Sequence, residues 1–262
     1  MKRDILIKAA AKAMVSGAVI SCCGTEEVKF ETVGTSETYA LVEGGRDSVH
    51  IDVSLQMPSE GLDKEVRDRI GDSILIDALG ECPEGKGAED AIKSYAADRL
   101  RFYRETNLEF ADAAEQNGDG EDDRDWGILT WNFEVEGRYV GEYNGWLSYS
   151  LATYTYIGGA HGGKTLAGLN FDRKTGDTVS ENDIFAYGYE EKLSAALRSH
   201  LKSSLPAEEY DMLFITDITP NGNFILSKAG ITYIYGQYEI GPYVSGIIRV
   251  TVPWDEIQSL LK

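Results

Sequence analysis

From Val49 to Leu55 apolar and polar positions alternate. Val49, Ile51, Val53 and Leu55 fall on one side, with His50, Asp52 and Ser54 on the other. That period of two predicts a strand with one buried face. The period then lengthens: Leu62, Val66, Ile70 and Ile74 recur every four residues, with Leu75 and Ala78 alongside, predicting a helix over 62–79. A second helix is predicted over 88–114, turning Ile92, Tyr95, Ala96, Leu100 and Tyr103 inward. The Gly- and Asp-rich run 117–125 reads as a loop.

Beyond it the period returns to two. Trp131, Phe133 and Val135 alternate with Asn132, Glu134 and Glu136. A long strand follows over 147–157, with Leu147, Tyr149, Leu151, Thr153 and Thr155 on one face and Tyr154 and Tyr156 on the other. Thr165 to Gly176 reads as a strand running into a hairpin turn at 172–176 between strands. Leu193, Leu197 and Leu201 give the next helix its apolar face, and Pro206 ends it. Residues 223–226 and 231–236 read as a hairpin turning near Ala229 and Gly230, 246–253 as a strand and 254–261 as a terminal helix. Helices scattered among strands without regular βαβ alternation predict an α+β fold of antiparallel sheets with packed helices, in two intimately associated lobes.

The first residues form an address. Lys2 and Arg3 precede an apolar stretch from Ala13 to Ile20, too short to span a bilayer. It ends Val19, Ile20, Ser21, Cys22, which resembles a bacterial lipobox, with Cys22 as the residue that is lipidated. The expected organisation is a signal peptide over 1–21, a polar tether over 22–37, an N-terminal α+β domain over 38–148 and a C-terminal one over 149–262. The expected location is the cell envelope, lipid-anchored on the periplasmic or surface face of the outer membrane. Glu26 and Glu27, close behind Cys22, resemble a surface-export signal. Cys23 lies beside the anchor and Cys82 far along the chain, so a disulfide between them is not expected.

Composition narrows the classes. The formal charge is −19, from 25 basic and 44 acidic residues. Cleavage before Cys22 removes four cations and Asp4, a net +3, and leaves −22. Phosphate repels such a chain, which excludes nucleic acid as a partner and favours a cationic one. Three motifs look catalytic or metal-binding and fail on context. Gly158 to Thr165 fits the P-loop expression, but no helix begins at Lys164 and Thr165 to hold a phosphate. A calcium loop starting at Asn117 would need Gly and Glu where Asp122 and Ile128 stand. His50, His161 and His200 lack metal-ligand spacing. No metal and no cofactor is expected.

Two stretches carry a resemblance. One runs from Tyr154 through the glycines 158–163 to Asn170–Gly176 and Glu181–Phe185. The other runs from Gly230 through Tyr238, Glu239, Pro242 and Tyr243 to Gly246, and on through Val252 to Ile257. Together they resemble the extracytoplasmic domain shared by the RsiV anti-sigma factor and the PdaC peptidoglycan deacetylase, over about 150–262. Residues 38–148 resemble the family's upstream domain more loosely. In this family the domain recognises rather than catalyses. The RsiV ectodomain binds lysozyme, and PdaC keeps its chemistry in a separate deacetylase domain, for which no room is expected here.

The resemblance implies a non-enzymatic binding module for a protein or glycan, with lysozyme-type muramidases or peptidoglycan fragments as ligands. The short loop 238–243 sets two Tyr, a carboxylate and a rigid Pro side by side, good anchors at low entropic cost. The candidate binding residues are therefore Tyr238, Glu239, Pro242 and Tyr243, with His161 in the glycine turn. Two other readings stand beside this one. The first is an envelope glycan hydrolase with paired carboxylates, Glu239 being the nominee. The second is a structural envelope lipoprotein whose charge serves solubility.

Overall fold

A computed structural model of the chain describes residues 26–43, 45, 47–80, 87–116 and 129–262, with backbone alone over 109–116. The signal peptide, Cys22, Cys23, Cys82 and the acidic run 117–125 lie outside the described residues.

β1 (Lys29–Ala40) and β2 (Ser48–Glu60) pair antiparallel. The alternation in β2 is realised almost completely: Val49, Ile51, Val53 and Leu55 are at most 1% exposed. α1 (Lys64–Leu79) buries Val66, Ile70, Ile74, Leu75 and Ala78, and ends on Gly80 at φ 83°, a left-handed cap that suits glycine. α2 (Ala88–Gln116) lies against α1 and the first two strands, burying Ile92, Ala96 and Tyr103.

β3 (Trp131–Tyr143) then runs parallel to β2, against the expectation of purely antiparallel sheets. The helices explain it. A parallel neighbour needs a long crossover, and α1 with α2 supplies one across the face that the apolar side chains bury. Asn144 and Gly145, at φ 52° and 79°, turn β3 tightly into β4 (Trp146–Tyr156). β5 (Gly163–Asp172) completes a sheet of order β1-β2-β3-β4-β5.

The expected tether differs from what forms. Residues 29–37 belong to β1 rather than to a free linker. Phe30 stacks on Tyr139 at 4.2 Å between ring centroids, and burial pushes the Tyr139 phenol up to about 12. The many Thr and Ser residues there read as polar, yet an edge strand needs only one half-buried face and tolerates polar residues on the other.

The lobe boundary shifts for a similar reason. A break at 148/149 cuts through β4, and the first sheet holds the chain until Asp172. The turn at 172–176 leads not into another long strand but to one bridge, Phe171 to Thr178, and then to α3 (Glu181–Ile184). After α3 come α4 (Glu190–Ser204), α5 (Ala207–Asp211), β6 (Phe224–Ser227), β7 (Gly230–Tyr235), β8 (Ile248–Val252) and α6 (Trp254–Ile257). β6, β7 and β8 form an antiparallel sheet. α4 packs against β8, and its Leu193, Leu197 and Leu201, all 0% exposed, share one core with Tyr233, Val250 and Val252.

The two lobes meet through polar groups. Ser148 Oγ donates to Asn170 Oδ1 at 2.7 Å, and Asn170 Nδ2 donates to the Phe224 carbonyl at 2.8 Å. The Leu226 amide reaches Ser148 Oγ at 3.1 Å. Asn223 accepts from the Gly168 amide at 2.9 Å and donates to the Leu166 carbonyl at 2.9 Å. Gly168 allows this approach: a Cβ there would lie 2.0 Å from the Phe224 carbonyl oxygen. Asn170→Ala strands the Phe224 carbonyl and the Ser148 hydroxyl, both in the interior. The expected loss, read by urea denaturation at constant m-value, is about 2–4 kcal/mol. A loss below about 0.5 kcal/mol, the scale of an ordinary surface change, would contradict this account.

Candidate functional site

Two loops converge where the lobes meet. The first, 157–162, joins β4 to β5. Gly158 and Gly159 sit at φ 90° and 93°, and the Gly159 carbonyl accepts from the Tyr156 hydroxyl at 3.0 Å. Gly162 lies flat on the Tyr154 ring, since a Cβ there would come 2.4 Å from Cε2. That turn holds His161 out at the surface. Lys164 and Thr165 open β5 rather than a helix, so the phosphate cradle of a P-loop does not form.

The second loop, 236–246, joins β7 to β8. Glu239 builds it. One carboxylate oxygen accepts from the Gly236 amide at 2.6 Å, and the other from Asn221 Nδ2 at 2.8 Å. Pro242 precedes a 3₁₀ turn over Tyr243–Ser245, and its carbonyl accepts from the Ser245 amide at 2.9 Å. Tyr238 stands at φ 64°, a left-handed conformation uncommon for a bulky residue.

Across the gap the loops hold each other. The Tyr243 hydroxyl donates to the Gly162 carbonyl at 2.9 Å, and the Lys164 amide to Gln237 Oε1 at 2.7 Å. The His161 and Tyr243 rings stack at 3.9 Å with planes 23° apart. Tyr238 tilts against Tyr243 at 5.8 Å, its hydroxyl 3.5 Å from His161 Nε2, and remains 57% exposed.

Three of the residues expected from sequence, His161, Tyr238 and Tyr243, thus form one exposed aromatic cluster. Pro242 shapes the turn beneath them. Glu239, also exposed, accepts hydrogen bonds on both carboxylate oxygens, from the Gly236 amide and from Asn221 ahead of β6. Tyr154, Gln237 and Lys164 were not singled out, yet they floor and brace the cluster. Tyr154 and Lys164 are register partners on neighbouring strands, a relation that appears only once the sheet is paired. The Gln237 contact has no signature in sequence.

The arrangement offers rings with polar tips on a rigid base. That suits recognition of an aliphatic or sugar surface with a few hydrogen-bond partners. An open groove of about 590 Å³ lies elsewhere, lined by Glu181, Glu190, Glu191, Arg198 and Asp217. Two of its acids are engaged: Glu181 accepts from the Tyr189 hydroxyl and the Gly222 amide, and Asp217 pairs with Arg198 at 2.8 Å. Among the described residues, no group of three or more His, Cys, Asp or Glu side chains could hold a metal ion.

The aromatic cluster thus sits at the seam of two α+β lobes joined by hydrogen bonds. Residues 45–164 match the family described as deacetylase PdaC, and residues 182–255 match the family described as a protein of unknown function, DUF3298. The chain is thus similar to the PdaC family over one stretch and to the DUF3298 family over another, in line with the resemblance. The PdaC match falls mostly in the first half, where the sequence shows the looser likeness, and ends inside β5, while beyond it only the DUF3298 match follows.

A crystal structure of a DUF3298 family member from Bacteroides fragilis is similar with a TM-score of 0.79 at 24% identity, covering 91% of this chain and 95% of that one. A DUF3298 family protein from Pseudomonas aeruginosa gives a TM-score of 0.61 at 16% identity, covering 91% and 96%. At these identities the likeness is one of fold. No curated protein matches the chain.

The backbone of Tyr238 supplies a test of what the loop is built for. A non-glycine residue held at positive φ costs about 1 kcal/mol or more, and glycine relieves it. Tyr238→Gly is expected to leave thermal stability unchanged or raise it, whereas Tyr243→Phe lowers it by about 1 kcal/mol through loss of the bond to Gly162. A clear drop in Tm for Tyr238→Gly would mean that the ring is there for packing.

Proposed function

We propose that this chain is a non-enzymatic, lipid-anchored module of the cell envelope that recognises a protein or glycan ligand, with cationic lysozyme-type muramidases as the leading partner and peptidoglycan fragments as the second. The observation that carries the reading is the cluster of His161, Tyr238 and Tyr243, presented on two mutually braced loops. Rigid aromatic anchors lose little entropy on binding and dominate interface energies. The net charge of −19 adds long-range attraction for a basic partner. The family resemblance points the same way.

The glycan-hydrolase alternative is less well supported. It asks for two carboxylates facing each other across a cleft, and Glu239 is bonded into its own loop.

Calorimetric titration of residues 24–262 with a c-type lysozyme, at low and high salt, tests the proposal. Binding is expected, weakening as salt rises. Tyr238→Asn, which removes the ring and tolerates positive φ, is expected to weaken it by about 2 kcal/mol or more, as loss of an interface hot spot does. Heat from soluble peptidoglycan fragments but none from lysozyme would move the ligand to glycan. Silence with both would overturn the proposal.

A further inference from the structure

The segment between α5 and β6 holds Met212, Phe214 and Ile215 out at 42%, 66% and 47% exposure, and Val244, next to Tyr243 in the chain, is 76% exposed. Single exposed apolar residues are ordinary, but several on two segments joined through the Ile240 carbonyl make a corner suited to meeting something.

The corner is rigid. The amides of Phe214 and Ile215 both donate to the Ile240 carbonyl, at 2.8 and 3.2 Å. Leu213 turns the other way and packs against the core of the second lobe. Its Cδ2 lies 2.9 Å from the place a Cβ on Gly241 would take. The 212–215 segment is therefore pinned to the loop that carries Tyr238 and Tyr243. The bonds to the Ile240 carbonyl fix its backbone while Phe214 and Ile215 remain outside, so core packing does not explain their exposure.

We propose that Phe214, Ile215 and Val244 form an apolar docking ridge continuous with the aromatic cluster, and that its occupant is the apolar margin of a basic protein held by that cluster. This rests on the binding reading above. Charge selects the occupant. Glu208 and Asp211, both exposed, precede the ridge in the chain on α5, while Asp217 beyond it is paired with Arg198. Those two acids repel anionic lipid headgroups, and a net charge of −19 opposes a second copy of the chain. A basic protein with apolar side chains near its charges satisfies both the acids and the ridge.

The test compares residues 24–262 as wild type, as Phe214→Ser with Ile215→Ser, and as Tyr238→Asn. Each is titrated with c-type lysozyme by calorimetry at several temperatures and two salt concentrations. Burial of apolar surface gives a negative heat-capacity change, and salt screens only the charge contribution. The double variant is expected to bind about tenfold or more weakly, with a less negative heat-capacity change, an unaltered salt slope and an unaltered Tm.

Equal affinity and heat capacity in the double variant, with Tyr238→Asn still weakened, would overturn the ridge and leave the cluster standing. Silence of the wild type would overturn both. A concentration-dependent dimer by light scattering, present in the wild type and lost in the double variant, would assign the ridge to a second copy and overturn the proposal.

Discussion

The hydrogen bonds joining Ser148, Asn170 and the backbone of β6 are the constraint on which the rest of the molecule depends. Ser148 and Asn170 are at most 4% exposed, so water cannot replace a partner that is lost. Their partners are the Phe224 carbonyl and the Leu226 amide, which belong to the other lobe. Two hydrophobic cores that could slide past one another are thereby fixed in a single register. Apolar contact alone is non-directional and would leave that freedom. Gly168 makes the arrangement sterically feasible, since any larger residue would push β6 away from the first sheet.

From that register the aromatic cluster follows. The 157–162 loop hangs from the first sheet and the 236–246 loop from the second. Stacking of His161 on Tyr243 at 3.9 Å requires the sheets to be placed correctly to within a fraction of an ångström. The Tyr243 and Gln237 bonds then convert two separate turns into one platform. Glu239 contributes in an indirect way. It spends its charge on the Gly236 amide and Asn221, which stiffens the loop and leaves the rings to make contact. A pre-organised surface of this kind loses little on binding, so modest area can support useful affinity.

In the proposed role the acidic balance would act at a distance and the rings at contact. Charge summed over the surface would raise the encounter rate with a basic partner, with a reach of about one Debye length, ~8 Å in physiological salt. Within that distance aromatic and apolar groups would decide what stays bound. The cluster at the seam and the exposed corner at Phe214 both project from loop segments whose backbones are tied down by hydrogen bonds.

Local pattern carried much of this protein's architecture. The period of two in β2 and the period of four in α1 each followed from which residues must leave water, and those elements formed where the spacing placed them. The glycine turn and the Tyr–Pro–Tyr loop were likewise legible, because their chemistry is contiguous in the chain. Relations between distant segments were not. The parallel pairing of β2 with β3 depends on partners about eighty residues apart, and the recruitment of 29–37 and of 163–172 as strands depends on a neighbouring strand to pair with rather than on their own period. The bonds to the Glu239 carboxylate and the bracing by Tyr154, Lys164 and Gln237 were not legible either. The sequence by itself determined which segments bury a face and which loops carry aromatic side chains on rigid turns, because both are set by neighbouring side chains. Tertiary structure alone decided how those loops meet, because their meeting is fixed by hydrogen bonds across a lobe seam that no local period records.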